Sequence, residues 1–249
     1  YDHRKKWLQE QIAFLSAIFH IDVCVFSVMS SHYHIVLRNR PDLASSSSDD
    51  EIINRRRTLT PYPFRGDITS KRLAAKLEAA RLSDLDKIET YRKDMASISK
   101  FMQYLNQFIA NKANREMEVR SGKFWNGRFG CTALLDDAAI LTCSAYVDLN
   151  PIRAKMAQTP ESSNHTSVKE RIDARQARKK QQVLKERCNE VPERLAQAAV
   201  RDEWLCPLMD QNGRKGFLNM DFDTYLEIVD WTGRQIVEGK RGAIPAHLQ

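Results

Sequence analysis

Two short apolar runs, rich in β-branched residues, sit side by side near the start of a chain whose other apolar residues mostly recur at helical spacing. The first is Ile21-Asp22-Val23-Cys24-Val25-Phe26-Ser27-Val28-Met29 and the second is His32-Tyr33-His34-Ile35-Val36-Leu37, with Ser30-Ser31 between them. Runs of this length and composition suit buried strands, and two of them around a two-residue break predict a hairpin, although Ser-Ser is a weaker turn signal than Asn-Gly. The hairpin makes the fold class α+β, because nearly every other segment reads as helix or loop.

Upstream, Trp7, Leu8, Gln11, Ile12, Phe14, Leu15, Ile18 and Phe19 predict a helix over about residues 2–19, entered directly from Tyr1. Downstream, 38–67 reads as loop. It holds Pro41, Ser45 to Ser48, the acidic Asp49-Asp50-Glu51, Pro61 and Pro63, with Arg55, Arg56 and Arg57 decorating a mobile segment. Helical stretches follow at about 70–82 and 84–92. Met95, Ile98, Phe101, Met102, Leu105, Phe108 and Ile109 then form a single stripe, which predicts a helix over 95–114 packed on the core. Asp136-Asp137 can cap a helix over about 138–149, ended by Pro151. Lys169 to Arg187 carries eight basic and three acidic residues and predicts a charged helix, either a solvated one or a DNA contact, with further helices near 192–203 and 221–238.

At 249 residues the chain is long enough for one domain with an appendage, and it can bury a core without covalent staples. Its five cysteines (Cys24, Cys131, Cys143, Cys188, Cys206) are scattered without a CxxC spacing, which argues against a disulfide framework or zinc knuckle and for a reducing cytoplasm. No apolar run approaches the roughly 20 residues that span a bilayer, and no charged start leads into a signal-like apolar stretch. The excess of 39 basic over 32 acidic residues gives a net charge of +7, which permits a nucleic-acid partner without establishing one.

The residues that carry chemistry fall in two places. His32 and His34 are two apart on a predicted strand, so both imidazoles share a face and can hold one divalent cation. Tyr146 and Asn150 are four apart on a predicted helix, so they stack one turn apart. The amide oxygen can then complete a metal site beside the phenol. Taken singly, each has a commoner structural role: a packed strand pair for the histidines, a core tyrosine for Tyr146, a helix C-cap for Asn150. His3, His20, His165 and His247 show no partner spacing.

Three segments in order change that reading. Val28-Met29-Ser30-Ser31-His32-Tyr33-His34-Ile35-Val36-Leu37 resembles the V-M-x-x-H-U-H-hydrophobic signature of HUH single-tyrosine transposases. Ala145-Tyr146-Val147-Asp148-Leu149-Asn150-Pro151-Ile152-Arg153-Ala154 is similar to the Y-I-x-L-N-P-V-R-A helix of the REP-associated tyrosine transposases. Between them, Phe124-Trp125-Asn126-Gly127-Arg128-Phe129 resembles their L-W-Q-G-R-F segment. The resemblance covers about residues 5–165.

It implies an antiparallel sheet packed with helices (a ferredoxin-like or RRM-like sandwich), with the histidines on a central strand. It further implies a catalytic domain over 1–165, interrupted by an insertion at about 38–94, and a basic, mainly helical extension over 166–249. The family begins with a strand upstream of the first helix, so this chain is expected to lack that strand. By the same resemblance His32, His34 and Asn150 hold Mg²⁺ or Mn²⁺, and Tyr146 is the nucleophile that opens single-stranded DNA hairpins through a 5′-phosphotyrosine. Monomeric and homodimeric arrangements both occur among such proteins. The competing functions are a DNA-binding remnant that does not cut and a replication-initiator or relaxase-type nickase.

The residue chemistry is compatible with that activity. A free phenol with a pKa of about 10 is roughly one part in a thousand ionised at pH 7, so exposing phenolate costs about 4 kcal/mol, a modest barrier. The aryl oxygen is also a better leaving group than an alkoxide, which makes the step reversible without ATP. Lys123, Trp125 and Arg128 combine charge with stacking surface, and Arg153 follows the tyrosine helix, so these four are the expected DNA contacts. The segments Trp231-Thr232-Gly233-Arg234 and Lys240-Arg241-Gly242-Ala243-Ile244-Pro245 receive no role from the sequence.

Overall fold

The computed structural model describes residues 2–61, 71–119, 122–187 and 190–247. It is an α+β chain, mostly helical, with a small antiparallel sheet of two strands. In order the elements are α1 (Asp2–Ile18), β1 (Ile21–Val28), β2 (Tyr33–Asn39), α2 (Pro41–Ser46), α3 (Asp49–Leu59), α4 (Lys71–Leu85), α5 (Ile88–Met95), α6 (Ile98–Glu116) and α7 (Asp137–Arg153). A 3₁₀ turn (Pro160–Ser162) and then α8 (Ser167–Glu186), α9 (Glu193–Ala199) and α10 (Phe222–Arg234) follow. The expected loop residues 62–67, the start of the helix expected at 70, and Cys188 lie outside the described residues.

The chain divides into two compact units, and the division does not follow the expected boundary at 165. A hairpin unit comprises 1–13, 23–37 and 128–249, and a helical unit comprises 14–22 and 38–127. The tail after 165 is therefore not an appendage. It supplies partners to β1: Val28 N donates to His165 O at 3.0 Å, Phe26 N to Ser167 Oγ at 3.0 Å, and Cys206 N to Val23 O at 2.8 Å. A strand that kept those groups unpaired would bury them at a cost or leave a template for another chain, and these segments remove both problems. The core of this unit gathers Cys24, Val25 and Val36 with Val147, Leu149 and Ile152 of α7, Leu208, Phe217 and Leu218, and Tyr225 and Val229 of α10.

The helix expected over 169–187 is present as α8, but its first half is not solvated. Ser167, Val168, Glu170, Arg171, Ile172, Ala174 and Ala177 are buried. The charges there are matched internally: Arg171 donates to the carbonyls of Cys24 and Cys206 at 3.0 and 2.7 Å, and Arg201 forms a bidentate pair with Glu170.

In the helical unit the 95–114 stripe behaves as expected. Met95, Phe101, Met102, Leu105 and Ile109 are buried, and Phe19 meets Phe101 edge to face at 5.6 Å. The loop expected over 38–67 is corrected, since α2 and α3 occupy most of its described part. Pro41 starts α2 at a position where a missing N–H costs nothing. Ser48 caps α3 by accepting from Glu51 N, the acidic Asp49, Asp50 and Glu51 sit at its positive end, and Arg56 and Arg57 sit at its negative end. The arginines are accordingly held: Arg55 by Glu51 and the carbonyls of Ala17 and Ile18, Arg56 by the Tyr104 hydroxyl, and Arg57 by the buried Asp84 at 2.8 Å through Nε. A run of mixed charge that looked like a solvated loop is a helix with its dipole complemented.

Candidate active site

The hairpin brings the two histidines to one place. Met29 N donates to His32 O at 2.8 Å, closing the turn over Ser30-Ser31. His32 stands immediately before β2 and His34 is its second residue, so the expected shared face is realised. Their rings lie 5.0 Å apart, centroid to centroid, at 85°. The Ser31 hydroxyl engages His32 Nδ1 at 3.1 Å, which leaves Nε2 as that ring's nitrogen for a ligand. Burial, followed by the nearby charges of His32 and Lys240, holds the His34 imidazole below its ordinary pKa. Its lone pair is therefore available at neutral pH.

Helix α7 supplies the other half. Asp136 caps it by accepting from Ala139 N at 2.7 Å, as expected from the Asp136-Asp137 pair. The expectation that Pro151 ends the helix is corrected: α7 continues to Arg153. Proline forfeits one bond to residue 147 this close to the end, and Ala154 N to Asn150 O (2.9 Å) and Met156 N to Pro151 O (2.8 Å) close the turn beyond it.

Tyr146 is 45 % exposed, so it is not a core tyrosine. Its ring meets that of His34 at 5.8 Å and 76°. Asn150 is 8 % exposed and lies inside the helix rather than capping it. Its Nδ2 donates to Tyr146 O at 2.9 Å, which leaves the amide oxygen as its group for a cation.

These donors fit a divalent ion: two imidazoles on one face, one of them held neutral, and an amide oxygen on the helix that carries Tyr146. Nitrogen ligands favour Mn²⁺ over Mg²⁺, which prefers oxygen. Among the described residues no group of three or more His, Cys, Asp and Glu can hold a metal, so an ion here would depend on the amide.

The expected DNA contacts separate. Lys123 and Arg128 are exposed, whereas Trp125 is half-buried and donates from Nε1 to Asn106 O at 2.9 Å. Lys123 and Trp125 belong to the helical unit and Arg128 to the hairpin unit, so no single unit gathers them.

Arg153 is corrected. It is 9 % exposed, and its guanidinium donates to Thr232 O (2.6 Å), Gln235 O (2.6 Å) and Gly242 O (3.3 Å). Its own carbonyl accepts from Arg241 N and Gly242 N, both at 3.2 Å. Burial lowers its pKa. The residue clamps the segment after α10 onto the end of α7, and its donors are committed to carbonyls rather than to a phosphate.

That clamp exposes two features the sequence reading missed. The segment 235–244 forms a strap. Ile244 N donates to Gly233 O at 2.9 Å, and a Cβ on Gly242 would stand 2.1 Å from Ile152 O, so only glycine fits there. The strap places the Lys240 ammonium 5.3 Å from the centre of the Tyr146 ring. No sequence signal points to Lys240, because the contact joins positions far apart in the chain.

The second feature is Asp148, 1 % exposed and two residues after Tyr146. It accepts from Ser167 Oγ (2.7 Å), Val168 N (3.1 Å) and Tyr225 Oη (2.7 Å). Burial pushes its carboxyl up to about 6 against the lowering effect of those bonds, and pushes the Tyr225 phenol well above its usual range. An aspartate between Val147 and Leu149 in a helix was the available signal.

No protein-family model, curated protein or solved structure matches the chain. Among the described residues, no helix is long and apolar enough to cross a membrane.

Proposed function

We propose that the chain is a single-tyrosine DNA nuclease and strand transferase of the HUH transposase type, acting on single-stranded hairpin DNA. The observation that carries this reading is the meeting of His32, His34 and Tyr146, with ring centroids 5.0 and 5.8 Å apart, from segments more than a hundred residues apart in sequence. Asn150 follows on the same helix as Tyr146, one turn on, as the motif requires.

In the proposed reaction the Tyr146 oxygen attacks a backbone phosphorus. A phosphotyrosine bond to the 5′ side forms, the bond to the 3′ oxygen breaks, and the phenolic proton ends on the released 3′-hydroxyl. One phosphodiester replaces another, so a different 3′-hydroxyl can reverse the step and join a new strand. His32, His34 and Asn150 would hold the divalent ion, which when bound polarises a non-bridging phosphate oxygen. Tyr146 is half in solvent and can be reached by a strand without opening the core. The ring of His34 fixes one side of its approach.

The small sheet favours a second reading. The family's sandwich has more strands than the two described here, and a domain reduced in this way can keep hairpin recognition without cleavage.

Covalent capture on a denaturing gel separates the two readings. The assay uses a labelled single-stranded hairpin from DNA flanking the gene, with Mn²⁺, Mg²⁺ or EDTA. A metal-dependent shifted band that disappears in Tyr146→Phe supports the nuclease. Hairpin binding with no covalent band in either metal supports the remnant.

A further inference from the structure

We propose that Lys240 is the phosphate-binding residue of the Tyr146 site, receiving a backbone phosphate of the nucleic-acid strand on the side of the tyrosine ring that faces the strap. This deepens the function proposed above and rests on it for the identity of the ligand.

Lys240 is held firmly by its own strap and by the end of α7. Its main chain is fixed on both sides: Lys240 N donates to Val237 O at 3.1 Å after Gly239 turns the chain at a φ of 75°, and the next two amides bond to Arg153 O. Arg153 grips two carbonyls of the same segment, those of Gln235 and Gly242, and the Thr232 carbonyl at the end of α10. Gly242 lies too close to Ile152 for any side chain. The strap is therefore built, and what it presents at Tyr146 is one ammonium group.

That ammonium is exposed and, among the described residues, forms no ion pair with a carboxylate, unlike Arg40, Arg92, Arg178 and Arg201. A cation over an exposed aromatic face gains only a modest attraction. Its charge stays available to an anion. A phosphorus in line for attack lies about 3–3.5 Å from the phenolic oxygen. With Nζ only 5.3 Å from the centre of the Tyr146 ring, a phosphate there comes within reach of a four-carbon side chain that can swing off the ring. Lysine suits this work as a mobile point charge with three donors.

The test measures equilibrium binding of the full chain in a Tyr146→Phe background, so that no covalent product forms. The probes are fluorescein-labelled oligothymidylate and a labelled DNA hairpin, read by anisotropy over a salt series in EDTA. Lys240→Gln should weaken binding roughly tenfold at low salt, the size of one charge-assisted contact. It should also lower the slope of log affinity against log salt by about 0.7, the signature of one phosphate contact to a single strand. Lys240→Arg should keep the slope. Lys87→Gln, the same charge change on the helical unit, should leave both quantities near the parent values.

An unchanged slope in Lys240→Gln, or an equal drop in Lys87→Gln, overturns the proposal. The covalent assay reports separately. A parent chain that never forms the adduct but loses a phosphate contact on Lys240→Gln refutes the nuclease and keeps the binding site. An adduct formed equally well by Lys240→Gln, with the slope unchanged, refutes Lys240 and keeps the nuclease.

Discussion

Arg153→Ala distinguishes a clamp from a DNA contact. The guanidinium is 9 % exposed and makes three hydrogen bonds to carbonyls of Thr232, Gln235 and Gly242. Bonds from a charged donor are worth about 1.5–3 kcal/mol each, but three on one group do not add, and truncating a buried charged group typically costs about 3–5 kcal/mol. Here the alanine leaves three carbonyls without their donor and no buried countercharge behind, so the lower end, about 3 kcal/mol, is the expectation. The strap should lose that energy first, because few other bonds hold it. Hydrogen exchange at the Ile244 amide, which donates to Gly233 O, reads this directly. A loss of about 3 kcal/mol corresponds to roughly a hundredfold fall in protection. Arg153→Lys keeps the charge but not the fork, and should fall between the parent and alanine. An Ile244 amide that exchanges at the parent rate in Arg153→Ala, together with weakened DNA binding, would refute the clamp and restore Arg153 as a phosphate contact.

Three further outcomes follow from the same geometry. Tyr225→Phe removes one of three bonds to the buried Asp148, whose carboxyl titrates near 6 in the fold against an ordinary 3.8. Because the folded value is raised, stability declines as pH rises from the ordinary 3.8 to about 6, by roughly 3 kcal/mol in all, and is level above that. Losing the hydroxyl should therefore cost about 2 kcal/mol at pH 8, where the ion needs it, and about 1 kcal/mol at pH 5. Urea unfolding followed by tryptophan fluorescence tests this, since Trp7, Trp204 and Trp231 all report on the hairpin unit, and equal losses at both pH values would contradict the argument. Gly242→Ala places a methyl against Ile152 O and should detach the strap, seen as lost Ile244 protection while α7 stays folded. Finally, burial and then the Arg55 charge hold His20 below its usual pKa beside Ser47. A lowered folded value means that the unfolded chain takes the proton first as pH falls below about 6.5, so stability drops from pH 7 to pH 5. His20→Gln should flatten that dependence, measured as unfolding midpoints at the two pH values.

How far the site was legible in the sequence depended on distance along the chain. The i, i+2 pair His32/His34 and the i, i+4 pair Tyr146/Asn150 follow from strand and helix periods alone; His34 lies on β2 with His32 immediately before it, and Tyr146 and Asn150 lie on α7. That His34 and Tyr146 meet is a tertiary fact, which spacing alone could not give. The mixed-charge segment 49–57 was misread because its charges, taken without a cap, look solvated. Ser48 at one end and buried Ile52 and Ile53 make it a helix. Arg153 was misread for the opposite reason: an arginine after a catalytic-looking helix suggests a phosphate, and only the returning strap shows that three carbonyls claim it.

Local periodicity, caps and apolar runs determined most elements of this protein, though not α2 and α3, together with the hairpin and the two faces that carry His32, His34, Tyr146 and Asn150. These are set by side chains within a few residues of one another. The tertiary structure alone decided that the tail completes the hairpin unit, that Asp148 is a buried carboxylate gripped by Ser167 and Tyr225, and that Lys240 lies over Tyr146. Each of these joins groups from distant segments, where burial and unsatisfied backbone groups, rather than local propensity, choose the partner.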